Sequence, residues 1–170
     1  MIRNLENRDF DEYYRLRLKA LEENPVAFSS MPRFFKECPK EKHLALLDDS
    51  ASGSSFFVKG YFEHKKLLGL IGMLPESRES VDHKASLWGF YVDSDHQNKK
   101  IGTKLIKSFL EDAQKDQKLR SIRLVVATPC QSAIHLFRKH GFVDYGCEKE
   151  SIRDMDNQFY DQIYMQKSCL

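Results

Sequence analysis

From Val92 to Leu105 the chain reads Val-Asp-Ser-Asp-His-Gln-Asn-Lys-Lys-Ile-Gly-Thr-Lys-Leu. Ala85 to Val92, just before it, is an apolar and aromatic run of strand character. After it, Ile101, Leu105, Phe109 and Ala113 recur every four residues, as on one face of a helix. A strand that feeds a helix through a short polar loop aims several unpaired backbone N–H groups at one point, and the helix dipole adds about half a positive charge there. Such a junction suits an anion, above all phosphate or pyrophosphate. The same stretch also suits an ordinary strand-to-helix turn with solvated lysines, so the flanking sequence has to decide.

A chain of 170 residues fits one domain around one core. Hydrophobic residues make up 41% and charged residues 31%, the balance of a soluble globular protein. With 27 basic and 25 acidic side chains the net charge is +2, which lacks the basic excess of a nucleic-acid binder. No apolar run approaches the roughly 20 residues that span a membrane. Met1-Ile-Arg-Asn-Leu-Glu-Asn-Arg carries no apolar signal region, and a cytoplasmic location is the expectation. Cys38, Cys130, Cys147 and Cys169 form no C-x-x-C pair, and the six histidines show no H-E-x-x-H spacing. Reduced thiols and no metal are expected.

Taken in order, Ile2 to Leu5 is predicted as a first strand. Asp9 is predicted to cap a helix, with Glu12 as its capping-box partner. Tyr13, Leu16, Ala20 and Leu21 form the helix stripe, which Asn24-Pro25 ends. Arg33 to about Leu47 is a second helical pattern, kinked or split at Pro39. Asp48 to Ser54 reads as a loop. Phe56–Phe62 and Leu67–Leu74 are predicted as a hairpin, and His83–Val92 as the central strand. Beyond the helix from Ile101 to about Gln114 come a strand over Leu119–Ala127 and a short helix over Ser132–His140, stopped by Gly141. Strands over Phe142–Cys147 and Gln158–Gln166 complete the chain. The order β-α-α-β-β-β-α-β-α-β-β is an α+β fold with a mixed, mostly antiparallel sheet and about four helices, parallel where 83–92 and 119–127 flank their helix.

Four separated segments, in order, resemble the GNAT superfamily of N-acetyltransferases. Leu16-Arg-Leu-Lys-Ala-Leu-Glu-Glu-Asn-Pro-Val-Ala-Phe28 is similar to the opening helix and loop of a bacterial subgroup. His83-Lys-Ala-Ser-Leu-Trp-Gly-Phe-Tyr-Val92 is similar to the family's central strand, and Gln97-Asn-Lys-Lys-Ile-Gly-Thr103 to its pyrophosphate loop. Ala133-Ile-His-Leu-Phe-Arg-Lys-His-Gly-Phe142 resembles its later helix and the strand after it. The resemblance covers nearly the whole chain and implies a single N-acetyltransferase domain, residues 1–170. It implies acetyl-CoA as co-substrate, held by Gln97, Asn98, Lys99, Lys100, Ile101, Gly102 and Thr103. The backbone of Phe90, Tyr91 and Val92 would pair with the pantetheine arm beside a bulge, with Cys130 and Phe137 close by. An amine would attack the thioester directly, with a base or water taking its proton. Members often pair through sheet edges, so a homodimer is also expected.

Three positions depart from the family pattern. Lys100 stands where the first loop glycine is usual, so either its backbone stays in an allowed region or its charge on a phosphate offsets strain. Phe137 replaces the tyrosine that protonates the CoA thiolate in many members. Cys130 stands where an asparagine often contacts the pantetheine arm, and a lone cysteine reads better as a small buried hydrophobe than as a nucleophile. No glutamate lies in 83–92, so His83, Ser86 and Glu79 are the candidate bases, with water as the default. Cys130, Ser132 and His135 are candidates near the thiolate. Phe28, Trp88 and Tyr160 are the candidate walls of an acceptor pocket for a small-molecule amine. The alternatives are a non-catalytic CoA-binding or regulatory domain of the same fold, and a nucleotide-phosphate module unrelated to CoA.

Overall fold

The computed structural model describes residues 1–53 and 55–169. Among them the chain forms seven strands and five α-helices: β1 Ile2–Asn4, α1 Phe10–Glu23, α2 Pro32–Glu37, α3 Lys40–Ala51, β2 Phe57–Glu63, β3 Lys66–Pro75, β4 Lys84–Val92, α4 Ile101–Ala113, β5 Ser121–Ala127, α5 Gln131–Lys139, β6 Val143–Arg153 and β7 Phe159–Ser168. The strands make one sheet in the order β1-β2-β3-β4-β5-β7-β6. Every neighbouring pair is antiparallel except β4 and β5, which flank α4 and run parallel.

The sheet separates two apolar clusters. One holds Phe57, Ile71, Leu87, Ile106, Phe109 and Phe142 under α4 and α5. The other holds Leu5, Leu16, Leu21, Leu47, Leu70 and Tyr91 under α1 and α3. Helix α4 forms because Ile101, Leu105, Ile106, Phe109 and Ala113 all reach the first cluster from one face. Strand β3 is buried almost throughout because helices cover both its sides.

Three local expectations change, and the expected break at Pro39 takes its split form. The capping box lies one turn early: Asp9 accepts from the Glu6 N–H at 2.9 Å, while Glu12 accepts from the Leu67 N–H at 2.8 Å and ties α1 to β3. The second helical pattern is two helices, because Pro39 cannot continue the first. The run from Asp48 to Ala51 is helix rather than loop, since Ser50 is buried and its hydroxyl both donates to and accepts from the Val58 backbone. Ser54, the last residue of the expected loop, lies outside the described residues. Strand β6 extends to Arg153, well past Cys147, held by β7 alone.

Candidate functional site

Strands β4 and β5 share only three register pairs, Lys84–Ser121, Ala85–Ile122 and Ser86–Arg123. Beyond Ser86 they splay into a wedge. The cause is a bulge against β3: Gly72 pairs with Trp88 and Leu70 with Tyr91, so three steps on β4 face two on β3. Gly89 carries the extra residue at φ +68°, a left-handed conformation that favours glycine. The inserted residue also switches sides. Ala85 and Leu87 pack toward α4 before the bulge, Phe90 and Val92 after it, while Trp88 and Tyr91 turn to the α1 cluster.

The loop from β4 to α4 begins at Asp93, passes a short 3-10 turn at Ser94–His96 and ends at Lys100. Asn98 and Lys100 sit at φ 63° and φ 60°. Lys100 is therefore in the left-handed region, at a cost of about 1–2 kcal/mol for a side chain with Cβ. This conformation turns the chain into α4, whose first turn bonds through Lys104 N–H to the Lys100 carbonyl at 3.1 Å. The N–H groups of Ile101, Gly102 and Thr103 at the start of α4 have no intrahelical acceptor. A Cβ on Gly102 would come 3.0 Å from Leu136 Cδ2 and 3.1 Å from Phe90 Cζ, so glycine lets α4, α5 and β4 close together here.

A cleft of about 680 Å³ runs along this wedge. Phe90, Tyr91, Val92, Gln97, Asn98, Lys100, Ile101, Gly102 and Thr103 line it, with Cys130, Ser132 and His135 opposite. A chamber of about 80 Å³ adjoins it at the bulge, lined by Phe28, Trp88, Gly89, Val126, Cys130 and Phe137 among others. Phe137 is buried against Phe90 and Phe142, with ring centroids 5.3 and 5.7 Å away. Burial pushes the Cys130 thiol above its ordinary value, so it stays protonated at neutral pH and suits packing.

Five sequence candidates lie elsewhere. Lys99 is exposed on the loop and does not line the cleft. Ser86 belongs to the paired end of β4, and His83 lies just before that strand, where its carbonyl accepts from Arg120 N–H at 2.7 Å. Glu79 is exposed on a 3-10 turn before β4. The Tyr160 hydroxyl donates to Asp154 at 2.9 Å, near the β6–β7 turn, so its ring is not a wall of the chamber.

What sequence reasoning missed is the set of ties between α1 and the end of β4. Lys19 Nζ reaches Asp93 Oδ1 at 2.7 Å and Asp95 Oδ2 at 3.1 Å. The Tyr91 hydroxyl donates to Glu23 Oε2 at 2.5 Å, and Ser94 Oγ donates to Glu23 Oε1 at 3.2 Å. Burial and this carboxylate hold the Tyr91 phenol far above its ordinary value. Glu23 is the one carboxylate among the described residues lining the cleft. Its only sequence signal is its place at the end of the α1 stripe, before Asn24-Pro25.

Among the described residues no group of three or more His, Cys, Asp or Glu is placed to hold a metal ion, and no helix is long and apolar enough to cross a membrane. The unpaired β4 edge, the free N–H groups at the start of α4 and the cations Lys100 and Lys139 on the lining fit a long, thin, diphosphate-bearing ligand.

Comparison with known proteins bears directly on this geometry. The model of the acetyltransferase (GNAT) family matches residues 7–142. An acetyltransferase of the GNAT family from Streptococcus pneumoniae is 26% identical, with 99% of this chain and 98% of that chain covered and a TM-score of 0.88. Two more distant structures share the fold. A ribosomal-protein-alanine N-acetyltransferase from Brucella melitensis is 20% identical over 99% of each chain, TM-score 0.83. A Salmonella typhimurium protein solved with its cofactor acetyl-CoA is 16% identical over 100% of this chain and 94% of that one, TM-score 0.86. No curated protein matches the sequence. The chain belongs to the acetyltransferase (GNAT) family. It is accordingly an acyltransferase whose acetyl donor is acetyl-CoA.

Proposed function

We propose that the chain, as a single domain, transfers the acetyl group to the primary amine of a small-molecule or amino-acid-like acceptor. One observation carries this reading. The long cleft and the small chamber share Ala27, Phe28, Phe90, Cys130 and Ala133, and Gly89 lines the chamber, so a ligand in each would meet near the Gly89 bulge.

In this reading the backbone N–H groups of Asn98 and of Lys100 to Thr103, with the Lys100 charge, hold the diphosphate. The open edge of Phe90 to Val92 holds the pantetheine arm. Bound acetyl-CoA supplies an activated thioester carbonyl. A backbone N–H of the bulge donates to the acyl oxygen as negative charge develops there. The acceptor ammonium has to lose a proton before it attacks. Glu23 is the carboxylate the cleft offers for that task, directly or through water, and the Tyr91 hydroxyl holds it in place. Phe137 has no proton to give, so the CoA thiolate leaves unassisted or takes its proton from water. Lining a cleft with two substrates in line provides much of the rate. The reading also includes a cytoplasmic location, in keeping with the four free cysteines, and a homodimer through a sheet edge.

Thiol release from acetyl-CoA across a panel of amines, followed by mass spectrometry of the products, tests the reading. Release that depends on an amine supports it. Acetyl-CoA binding by calorimetry with no release for any amine would replace it with a non-catalytic CoA-binding domain. Glu23→Gln should lower kcat by about 10²-fold while acetyl-CoA affinity holds; unchanged turnover would leave water as the base.

A further inference from the structure

Helix α1 turns Arg17 into the protein, where the residue is only 8% exposed. Its guanidinium lies 4.4 Å from the ring centroid of Phe28 and 6.0 Å from that of Trp88. The rings attract the charge but accept no directed hydrogen bond from its edge. Nη1 is buried and donates to nothing, and the Nε1–H of Trp88 is a second buried donor without an acceptor. Among the described residues no carboxylate faces the guanidinium. The one titratable neighbour that favours its charge is the buried Tyr13 hydroxyl, and burial pulls Arg17 below its ordinary value.

Buried donors are nearly always satisfied, and a buried cation without an anion is strongly unfavourable. Here two such donors, from α1 and from β4, stand around the same aromatic wall with no acceptor between them. The sequence seats the indole deliberately: it lies over Gly72, where a Cβ would come 2.6 Å from Nε1. Phe28 and Trp88 both line the 80 Å³ chamber at the bulge. The rest of that lining is almost wholly apolar, with Leu87, Leu124 and Val126 beside Phe137. Arg17 itself is not on that lining: Phe28, on the loop joining α1 to α2, stacks on it, and a ligand in the chamber would reach the guanidinium only once the Phe28 side chain moves aside.

We infer that Arg17, assisted by Trp88 Nε1, binds a carboxylate carried by the amine acceptor. The acceptor class is therefore the amino carboxylic acids with apolar side chains, rather than polyamines or simple amines. The planar guanidinium matches a carboxylate in two parallel hydrogen bonds, which an ammonium or a neutral amide does not offer. The inference rests on the acetyl-transfer reading and names the substrate of that same site.

Two measurements test it. Thiol release with acetyl-CoA is followed for a panel of α-amino acids, each matched with its amide and its decarboxylated amine. Calorimetry measures binding of the corresponding N-acetyl amino acids to the protein with CoA. The acids should exceed their matched amides and amines by about 10²-fold in kcat/KM, because a donor built for an oxyanion is left unpaired by the analogue lacking it. Arg17→Met should erase that preference while acetyl-CoA affinity and the folded state persist, and Arg17→Lys should keep part of it. Equal rates for acid, amide and amine, or an unchanged preference in Arg17→Met, overturn the carboxylate assignment and leave acetyl transfer standing. N-acetyl amino acid binding that Arg17→Met abolishes, with no transfer to any acceptor, keeps the carboxylate site and overturns the transfer reading. Neither transfer nor carboxylate binding overturns both.

Discussion

Asp93 and Arg17 are both charged, both buried, and both set against helix α1, yet their surroundings are opposite. Asp93 is 1% exposed and fully engaged: Lys19 at 2.7 Å, Arg15 at 3.7 Å, His96 at 3.9 Å and the Asp95 N–H at 3.3 Å all face its carboxylate. Arg17 has two aromatic faces and, among the described residues, no anion. The helix makes the difference by geometry. Arg15 and Lys19 are four apart and share a face, whereas residue 17 points about 200° away from residue 15. One face of α1 fastens the strand end and loop that hold the cofactor side of the cleft. Another face delivers an unanswered charge to the acceptor side. A satisfied buried charge is part of the scaffold; an unsatisfied one marks the place where the scaffold is incomplete without a ligand.

The largest effect should come from breaking the satisfied charge. Asp93→Asn leaves Lys19 and Arg15 beside a neutral amide. Losing one partner of a buried pair costs about 3–5 kcal/mol, and because Lys19 and Arg15 reach solvent we expect about 2–3 kcal/mol by urea unfolding. Burial alone would raise the Asp93 carboxyl, but Lys19, the Asp95 N–H and His96 outweigh it and hold it below its ordinary value of 3.8. A depressed carboxyl contributes stability that is complete above that ordinary value and is lost as pH falls toward the folded one. The wild type should therefore lose stability below about pH 4, and Asp93→Asn should flatten that limb. A variant as stable as the wild type would remove the contrast with Arg17.

The opposite sign is expected at Arg17. Replacing an unpaired buried cation by an apolar side chain of similar length should stabilise the fold by about 1–2 kcal/mol, read from the same unfolding curves. A loss of stability would mean that the two aromatic faces are themselves adequate partners, and that Arg17 is as much scaffold as Asp93.

Neither member of this contrast was legible in the sequence. The strand and helix order was, because the continuous apolar runs of β2 and β3 and the alternation of β4 give way to a period near four over α4, and the burial of each element writes that pattern into its residues. The cofactor loop was legible because polar residues, two lysines and Gly102 fall at a strand-to-helix junction. Strand β6 was read short because both its faces are exposed, so no alternation marks where it ends. The Asp93–Lys19 pair joins residues 74 apart, and a bond of that span leaves no local pattern. Arg17 falls within the stripe of Tyr13, Leu16, Ala20 and Leu21, four residues from both Tyr13 and Leu21, so its inward turn follows from helix periodicity; what leaves no local pattern is the set of groups that surrounds it. Glu23 was passed over for the same reason, and His83, Ser86 and Tyr160 were favoured because nearness in sequence to a recognised strand does not say which end of the strand opens.

Lys100 carries the smallest expected effect and extends the contrast from charge to backbone. It is a second unfavourable feature kept on the cleft side, a lysine at φ 60° where glycine would be unstrained. Lys100→Gly should relieve about 1–2 kcal/mol of left-handed strain and give back about 0.5–1 kcal/mol through the freer unfolded chain, for a net gain near 0.5 kcal/mol. If the side chain is kept for its charge on the diphosphate, acetyl-CoA affinity should move the other way, weakening by about threefold at low salt. That loss should shrink when salt at about 0.5 M screens the exposed ammonium. Calorimetry of both proteins at the two salt concentrations reads this directly. A glycine variant that binds acetyl-CoA as well as the wild type at low salt would show that Lys100 imposes strain without serving the cofactor, leaving the backbone N–H groups of the α4 start to hold the diphosphate unaided.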